Sequence, residues 1–288
     1  MTWRLSGFVD EAGLSIEEQL EAAKQSQLRY IDLRGIGDGN ISSLPADQAS
    51  AVRSQLDAAG LTVNMFGSPI GKIDITDGVR SDLDKLEHLA RMADIFDCRA
   101  VRVFSYFNKT GIDPVTWGQQ AIERLGTLRA KAMELGLSIW LENERHIFGD
   151  RLPEVMRILD ELHDGESFRM IFDFDNFNQS GDNCYANWQK LKGRVDAFHL
   201  KDSTKEAMHV PIGQGAGYAR EILTEAKASG WQGSLSLEPH LAHSPAVMAT
   251  GPHGEANQAL SDLSPTEAFV FATEEARKLL REIGADFE

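Results

Sequence analysis

Cysteine is nearly absent. Cys98 and Cys184 are the two in 288 residues, and they stand far apart with no C-x-x-C spacing, so there is no basis for a disulfide framework or a thiolate zinc site. Basic charge is short as well: 29 Lys and Arg face 44 Asp and Glu, a net charge of −15. Such a field repels a polyanion and removes the footing of nucleic-acid binding, so no DNA or RNA partner is expected. No stretch approaches about 18 uninterrupted apolar residues, and the first residues lack the apolar run of a secretory signal. The expectation is therefore no membrane partner and a cytoplasmic protein. A G-x-x-x-x-G-K-[ST] phosphate loop is missing, as are a Pro/Ser-rich linker, low-complexity tracts and a repeat of about 20 to 50 residues. With 42% hydrophobic and 25% charged residues the chain can bury a large core, which excludes the disordered and fibrous classes.

Short β-type runs alternate with amphipathic stretches along the whole length. The runs predict strands at 5–9, 30–33, 61–66, 100–104, 137–141, 168–172, 195–198 and 234–237. Between the first two, Ser15 and Glu18 form a capping box for a helix over 15–28 with Ile16, Leu20 and Ala23 on one face. A last helix is announced by Ser264, Pro265 and Glu267 and closed by Gly284. Gly60, Gly136 and Gly230 each follow a helical pattern and precede a strand. Eight strand–helix units in strict alternation imply parallel pairing through right-handed crossovers, and eight strands close into a (β/α)8 barrel. A doubly wound sheet would show a glycine fingerprint after its first strand, where this chain has Asp10-Glu-Ala-Gly13. The expected architecture is one TIM-barrel domain over 1–288, with a long loop at 240–263 acting as a lid or an oligomer contact.

In such a barrel the chemistry sits where strands end at the C-terminal face. The last four strands run into Glu142, Asp173, His199 and Glu238. Any one of them alone is explained as a helix cap or a satisfied core residue. Three carboxylates and an imidazole converging from neighbouring strands would repel ruinously if buried without a cation, and the set therefore reads as one metal site. Oxygen ligands with one nitrogen and no thiolate suit Mn²⁺ first, with Mg²⁺, Co²⁺ or Zn²⁺ as alternatives.

Six strings at strand ends, Gly67-Ser-Pro-Ile-Gly-Lys-Ile-Asp-Ile75, Leu141-Glu-Asn-Glu144, Phe172-Asp-Phe-Asp-Asn-Phe177, Phe198-His-Leu-Lys-Asp202, Val210-Pro-Ile-Gly-Gln-Gly215 and Leu235-Ser-Leu-Glu-Pro-His240, resemble the xylose isomerase-like sugar phosphate isomerase/epimerase superfamily, close to the ketose 3-epimerases. The resemblance spans residues 8–283. It implies a single divalent ion held by Glu142, Asp173, His199 and Glu238, with Glu142 and Glu238 doubling as the acid/base pair. Two departures mark this chain: Asn176 stands where those epimerases carry a histidine, and Lys205 and His209 stand where they place an arginine.

Further strand-end residues are candidates for substrate binding: Arg34, Ser68, Lys72, Arg102, Glu144, Asn176, Lys201 and His240, with Arg145 beside them. The cations among them fit hydroxyls or an anionic group, or else salt bridges within an acidic mouth. His146 and His243 read as solvated loop histidines. The glycines from Gly213 to Gly217 lack the strand and the acidic residue of a dinucleotide site and predict a tight turn into the following helix. Phe8, Phe66, Phe104, Tyr106, Trp140 and Phe174 are expected mainly in the barrel core. The expected activity is metal-dependent sugar isomerisation or epimerisation by carboxylate-mediated proton transfer through an ene-diolate. The alternative is a lyase or dehydratase of a keto-inositol or 3-keto-glycoside that shares the same first step. The expected partner is a small sugar or keto-polyol, with homo-oligomers possible. A phosphodiesterase of the same fold would need more histidines and a basic groove, and a non-catalytic scaffold would need no pair of bases.

Overall fold

The computed structural model describes residues 2–249 and 254–288. Eight strands form its main sheet: β1 (Arg4–Gly7), β2 (Tyr30–Leu33), β3 (Thr62–Phe66), β4 (Ala100–Val103), β5 (Ser138–Glu142), β6 (Phe168–Asp173), β7 (Val195–Leu200) and β8 (Ser234–Leu237). Parallel ladders run from β1 to β8 and then in descending order through β7, β6, β5, β4 and β3 to β2. This is the expected nearly closed (β/α)8 barrel, and strand boundaries differ from the sequence reading by no more than two residues. Among the described residues no ladder joins β1 to β2. Side chains span that seam instead: Ser6 Oγ donates to Asp32 Oδ2 (2.6 Å) and Asn64 Nδ2 to Asp32 Oδ1 (2.7 Å).

The helices follow their sequence signals. Ser15 and Glu18 complete a capping box at the head of α1 (Ile16–Gln25), which satisfies two orphan N–H groups reciprocally. Ser264 and Glu267 do the same for the final helix, Pro265–Glu282, with Pro265 in its first turn. Gly60, Gly136 and Gly230 take the left-handed conformation (φ of 70°, 69° and 77°) that turns each helix end back toward the sheet. Among the described residues no helix is long and apolar enough to cross a membrane.

Strand parity decides which side chains enter the barrel. Phe198 packs outward against Phe174, Trp188 and Trp231, so its neighbour His199 points inward. The β6–β7 register pairs Asp173 with His199, and the β5–β6 register sets Glu142 beside Ile171. Asp173 and His199 thus arrive at one level, and Glu142 ends the adjacent strand two residues short of that level. Both cysteines are buried, and burial pushes the Cys98 thiol up to about 12.

One loop is built around a buried acid. Asp202 accepts N–H groups from Gly213 (2.9 Å), Gly215 (3.0 Å) and Gly217 (3.0 Å), so the expected glycine turn wraps a carboxylate that directly follows Lys201. A Cβ at Gly215 would lie 2.3 Å from Asp202 Oδ1 and 2.4 Å from the Ser203 carbonyl, which only glycine avoids. Asp202→Ala leaves these N–H groups without their acceptor and is expected to cost about 3 kcal/mol, with Asp202→Asn costing less because one acceptor oxygen remains. Urea unfolding of the three proteins checks this; equal midpoints would contradict it.

Candidate metal centre

Glu142, Asp173, His199 and Glu238 are buried together, and one ligand atom from each lies within 4.8 Å of the others. His199 Nδ1 is 3.0 Å from Glu142 Oε1, 3.4 Å from Glu238 Oε2 and 3.9 Å from Asp173 Oδ2. Glu142 Oε2, Asp173 Oδ2, Glu238 Oε2 and both His199 ring nitrogens have no well-formed hydrogen bond. Buried polar atoms are almost always paired. Four donor groups without a well-formed hydrogen bond converging on one point fit a divalent ion, and the hard, oxygen-rich donor set agrees.

The surroundings orient these groups. Asp173 caps the short helix Phe174–Gln179: its Oδ1 accepts the Asn176 N–H (2.7 Å), which leaves Oδ2 for the cluster. Asn143 ties the ends of β5 and β6 together, its Oδ1 accepting from Asp173 N (2.9 Å) and its Nδ2 donating to Asp173 O (3.1 Å). Asn176 Nδ2 donates to the Asn143 carbonyl (2.9 Å) and reaches Glu142 Oε1 at 3.4 Å. It therefore steadies a glutamate of the cluster. The Phe8 ring meets the His199 imidazole edge to face at 5.4 Å.

Cations ring the acids. Lys201 Nζ lies 3.2 Å from Asp173 Oδ2 and 3.7 Å from Glu238 Oε2. Arg102 Nη1 lies 3.2 Å from Glu142 Oε2 and 3.5 Å from Glu238 Oε1. Arg34 Nη1 donates to Glu238 Oε1 (2.5 Å), while Nε and Nη2 grip Asp10 (2.8 and 3.1 Å) and Nη2 stands 3.7 Å from Glu11. Burial would raise both glutamates, but His199 and Arg102 beside Glu142, and Lys201, His199 and Arg34 beside Glu238, hold their carboxyls below the usual range. Burial keeps Asp173 well above its usual value despite Lys201. Burial works against the His199 imidazolium, yet Glu142 and Glu238 push its pKa up to about 9.

The remaining candidates divide by place. His240, in a left-handed conformation (φ 51°), brings Nε2 to 3.7 Å from Glu238 Oε1 and 3.4 Å from Glu11 Oε1. Glu144 pairs with Lys72 Nζ at 2.8 Å, and Lys72 lies over the Phe104 ring. Ser68 is set apart: fully buried, its hydroxyl donates to the Arg102 carbonyl (2.5 Å) and joins the β3 loop to β4. His146 is exposed, as expected. His243 differs from the solvated side chain expected: it is half-buried, with Nε2 3.1 Å from Nδ1 of the buried His209. Sequence reasoning missed Asp10, Glu11 and Asn143. The first two lie in the short 3₁₀ turn Val9–Glu11 just beyond β1, and applying the strand-end rule to the first strand as well as the last four would have found them. Glu11, Glu238 and His240 form a second close group, but the Arg34 guanidinium already stands beside both of its acids.

Residues 20–262 match the family model described as the xylose isomerase-like TIM barrel. No curated protein matches the chain. Among solved structures, a D-psicose 3-epimerase crystallised in the presence of D-fructose superposes with a TM-score of 0.72 at 12% identity, over 98% of this chain and 100% of that one. The probable 3-DHS dehydratase AsbF of petrobactin synthesis from Bacillus anthracis gives a TM-score of 0.66 at 19% identity, over 83% of this chain and 92% of its own. The IOLI protein with a bound zinc atom gives 0.72 at 14% identity, over 97% of each chain. At these identities the likeness is one of fold.

Proposed function

The chain belongs to the xylose isomerase-like TIM-barrel family, and on that premise we propose that it is a divalent-metal-dependent isomerase or epimerase of a small ketose or related hydroxy-keto compound. The observation that carries this reading is the convergence of Glu142, Asp173, His199 and Glu238, whose facing atoms lack well-formed hydrogen bonds. These four would hold the ion, with Mn²⁺ the first choice for the oxygen-rich set. When bound, it supplies Lewis acidity toward a carbonyl and its neighbouring hydroxyl, acidifying the adjacent carbon-bound proton. The two glutamates come from β5 and β8, which β6 and β7 separate in the sheet, so they approach a substrate from different directions. One carboxylate takes the proton at its oxygen and the other returns it, on the opposite face or at the next carbon. Lys201 and Arg102 favour the ionised form that accepts the proton, and the glutamate that returns one on the opposite face first takes it from solvent.

One observation favours a second reading, elimination of water or an alcohol from a keto-inositol or 3-keto-glycoside. Burial pushes the Glu11 carboxyl up to about 8, which makes it a proton source at neutral pH that epimerisation does not use. The products separate the two. Protein loaded with Mn²⁺ is incubated in D₂O with ketoses and hydroxy-keto acids and followed by NMR. Deuterium entering beside the carbonyl with the carbon skeleton intact, and lost on chelation, supports epimerase or isomerase chemistry. Release of water or alcohol supports the lyase, and absence of both reactions contradicts the two readings.

Metal binding is expected to depend on pH. His199 carries a proton at pH 7 while its pKa stands near 9, and an ion must displace that proton to bind the ring. Affinity should therefore rise by about tenfold per pH unit for each proton displaced, until the pH passes that value. Calorimetry at pH 7 in buffers of different ionisation enthalpy should count at least one proton released per Mn²⁺. Zero would contradict the assignment of His199 as a ligand.

A further inference from the structure

Beside the four-residue cluster a cavity of about 470 Å³ opens at the mouth, walled by the ends of β2, β3 and β4, a volume typical of small-molecule sites. Its charged walls are Arg34, Lys72, Arg102, Asp10 and Asp38. Asp10 is already held by the two-point grip of Arg34 and Lys72 by Glu144, so Arg102 is the wall cation whose pairing depends on the cluster, in a chain of net charge −15. Arg102 is the side chain least matched there. Its Nη1 serves Glu142 and Glu238, while its Nε is buried with no hydrogen-bond partner. A cation in the cluster would draw on those same two carboxylates and leave the guanidinium short of counter-charge.

Apolar rings support both cations. Arg102 lies 4.9 Å and Lys72 4.3 Å from the Phe104 ring centroid, and Arg102 lies 4.8 Å from that of Phe8. The facing wall includes Gly35, Gly37, Gly39 and Gly67; a Cβ at Gly37 would meet nothing within 4 Å, whereas one at Gly35 would strike Asp10 and one at Gly67 would strike Phe8 and Arg34. The cations are fixed before a ligand arrives.

We infer that the substrate carries a carboxylate at the end remote from its reacting carbonyl, seated against Arg102 and Lys72 in this cavity. The inference rests on the epimerase or isomerase reading and narrows its substrate to keto acids with a distal carboxylate. A planar carboxylate matches the guanidinium fork, and the metal cluster beside it is left for the carbonyl end.

The test is calorimetric titration of the full-length, Mn²⁺-loaded protein with three ligands: a six-carbon ketose, the same ketose oxidised to a carboxylate at its far end, and the same ketose phosphorylated there. The carboxylate form is expected to bind at least about tenfold tighter than the neutral ketose. Lys72→Met should remove most of that preference, and Lys72→Arg, which also keeps the pair with Glu144, should retain it. Equal affinities for the acid and the neutral ketose overturn the inference, as does a preference that survives Lys72→Met or tighter binding of the phosphate ester. Deuterium exchange separates this result from the parent reading. A carboxylate preference without exchange in any compound overturns the epimerase reading and leaves the subsite standing; exchange into the neutral ketose without preference for the acid does the reverse.

Discussion

Glu238→Gln is expected to lower the rate of deuterium incorporation by at least about a thousandfold, within the range for loss of a general base. The amide keeps the size of the side chain and one oxygen, but it cannot take a proton. It also subtracts a negative charge from the point where Lys201, Arg34 and Arg102 meet, so Mn²⁺ affinity should fall as well. Rates measured at saturating Mn²⁺, with bound metal counted in parallel, separate the two effects. A variant that binds the ion and still exchanges within about tenfold of the parent would contradict the role given to Glu238.

The second large effect is on stability. Arg34→Met should destabilise the metal-free protein by about 3–5 kcal/mol, the cost of breaking a buried ion pair from one side. For a chain of this size that is a fall in midpoint on the order of 10 °C. The cause is that Arg34, itself 5% exposed, is the shared counter-charge of Asp10 and Glu238. The gap should narrow in acid. Glu238 is held well below its usual range, in part by Arg34, so the pairing contributes stability above the unfolded carboxyl pKa of about 4.3 and loses it as pH falls through the folded value. Adding Asp10→Asn should return part of the loss, because the two side chains are directly coupled. Thermal unfolding at two pH values checks all three points. An unchanged midpoint at neutral pH would mean that water, and not Arg34, compensates these acids.

The barrel could be read from the sequence because alternation, caps and helix-ending glycines are local signals. Ser15 with Glu18 and Ser264 with Glu267 announce helix starts within four residues, and the structure forms both capping boxes. The cluster of Glu142, Asp173, His199 and Glu238 was legible for a related reason: parallel strands place their ends on one face, so position along each strand is enough to gather them. Contacts made across the barrel were not legible. Arg34 reads as a substrate contact in the sequence, yet its guanidinium holds Asp10 and Glu238, which lie 24 residues before it and 204 after it. The glycines at 213–217 announce a turn, but nothing local says that it closes on Asp202. His243 resembles any loop histidine until the antiparallel pairing of His209–Val210 with Asp202–Ser203 sets His209 beside it.

The most direct measurement is anomalous diffraction at the manganese edge from crystals of the Mn²⁺-loaded protein. One peak per chain is predicted at about 2.0–2.3 Å from His199 and from carboxylate oxygens of Glu142, Asp173 and Glu238. An active protein with no peak there, or with its metal bound elsewhere, would contradict the account.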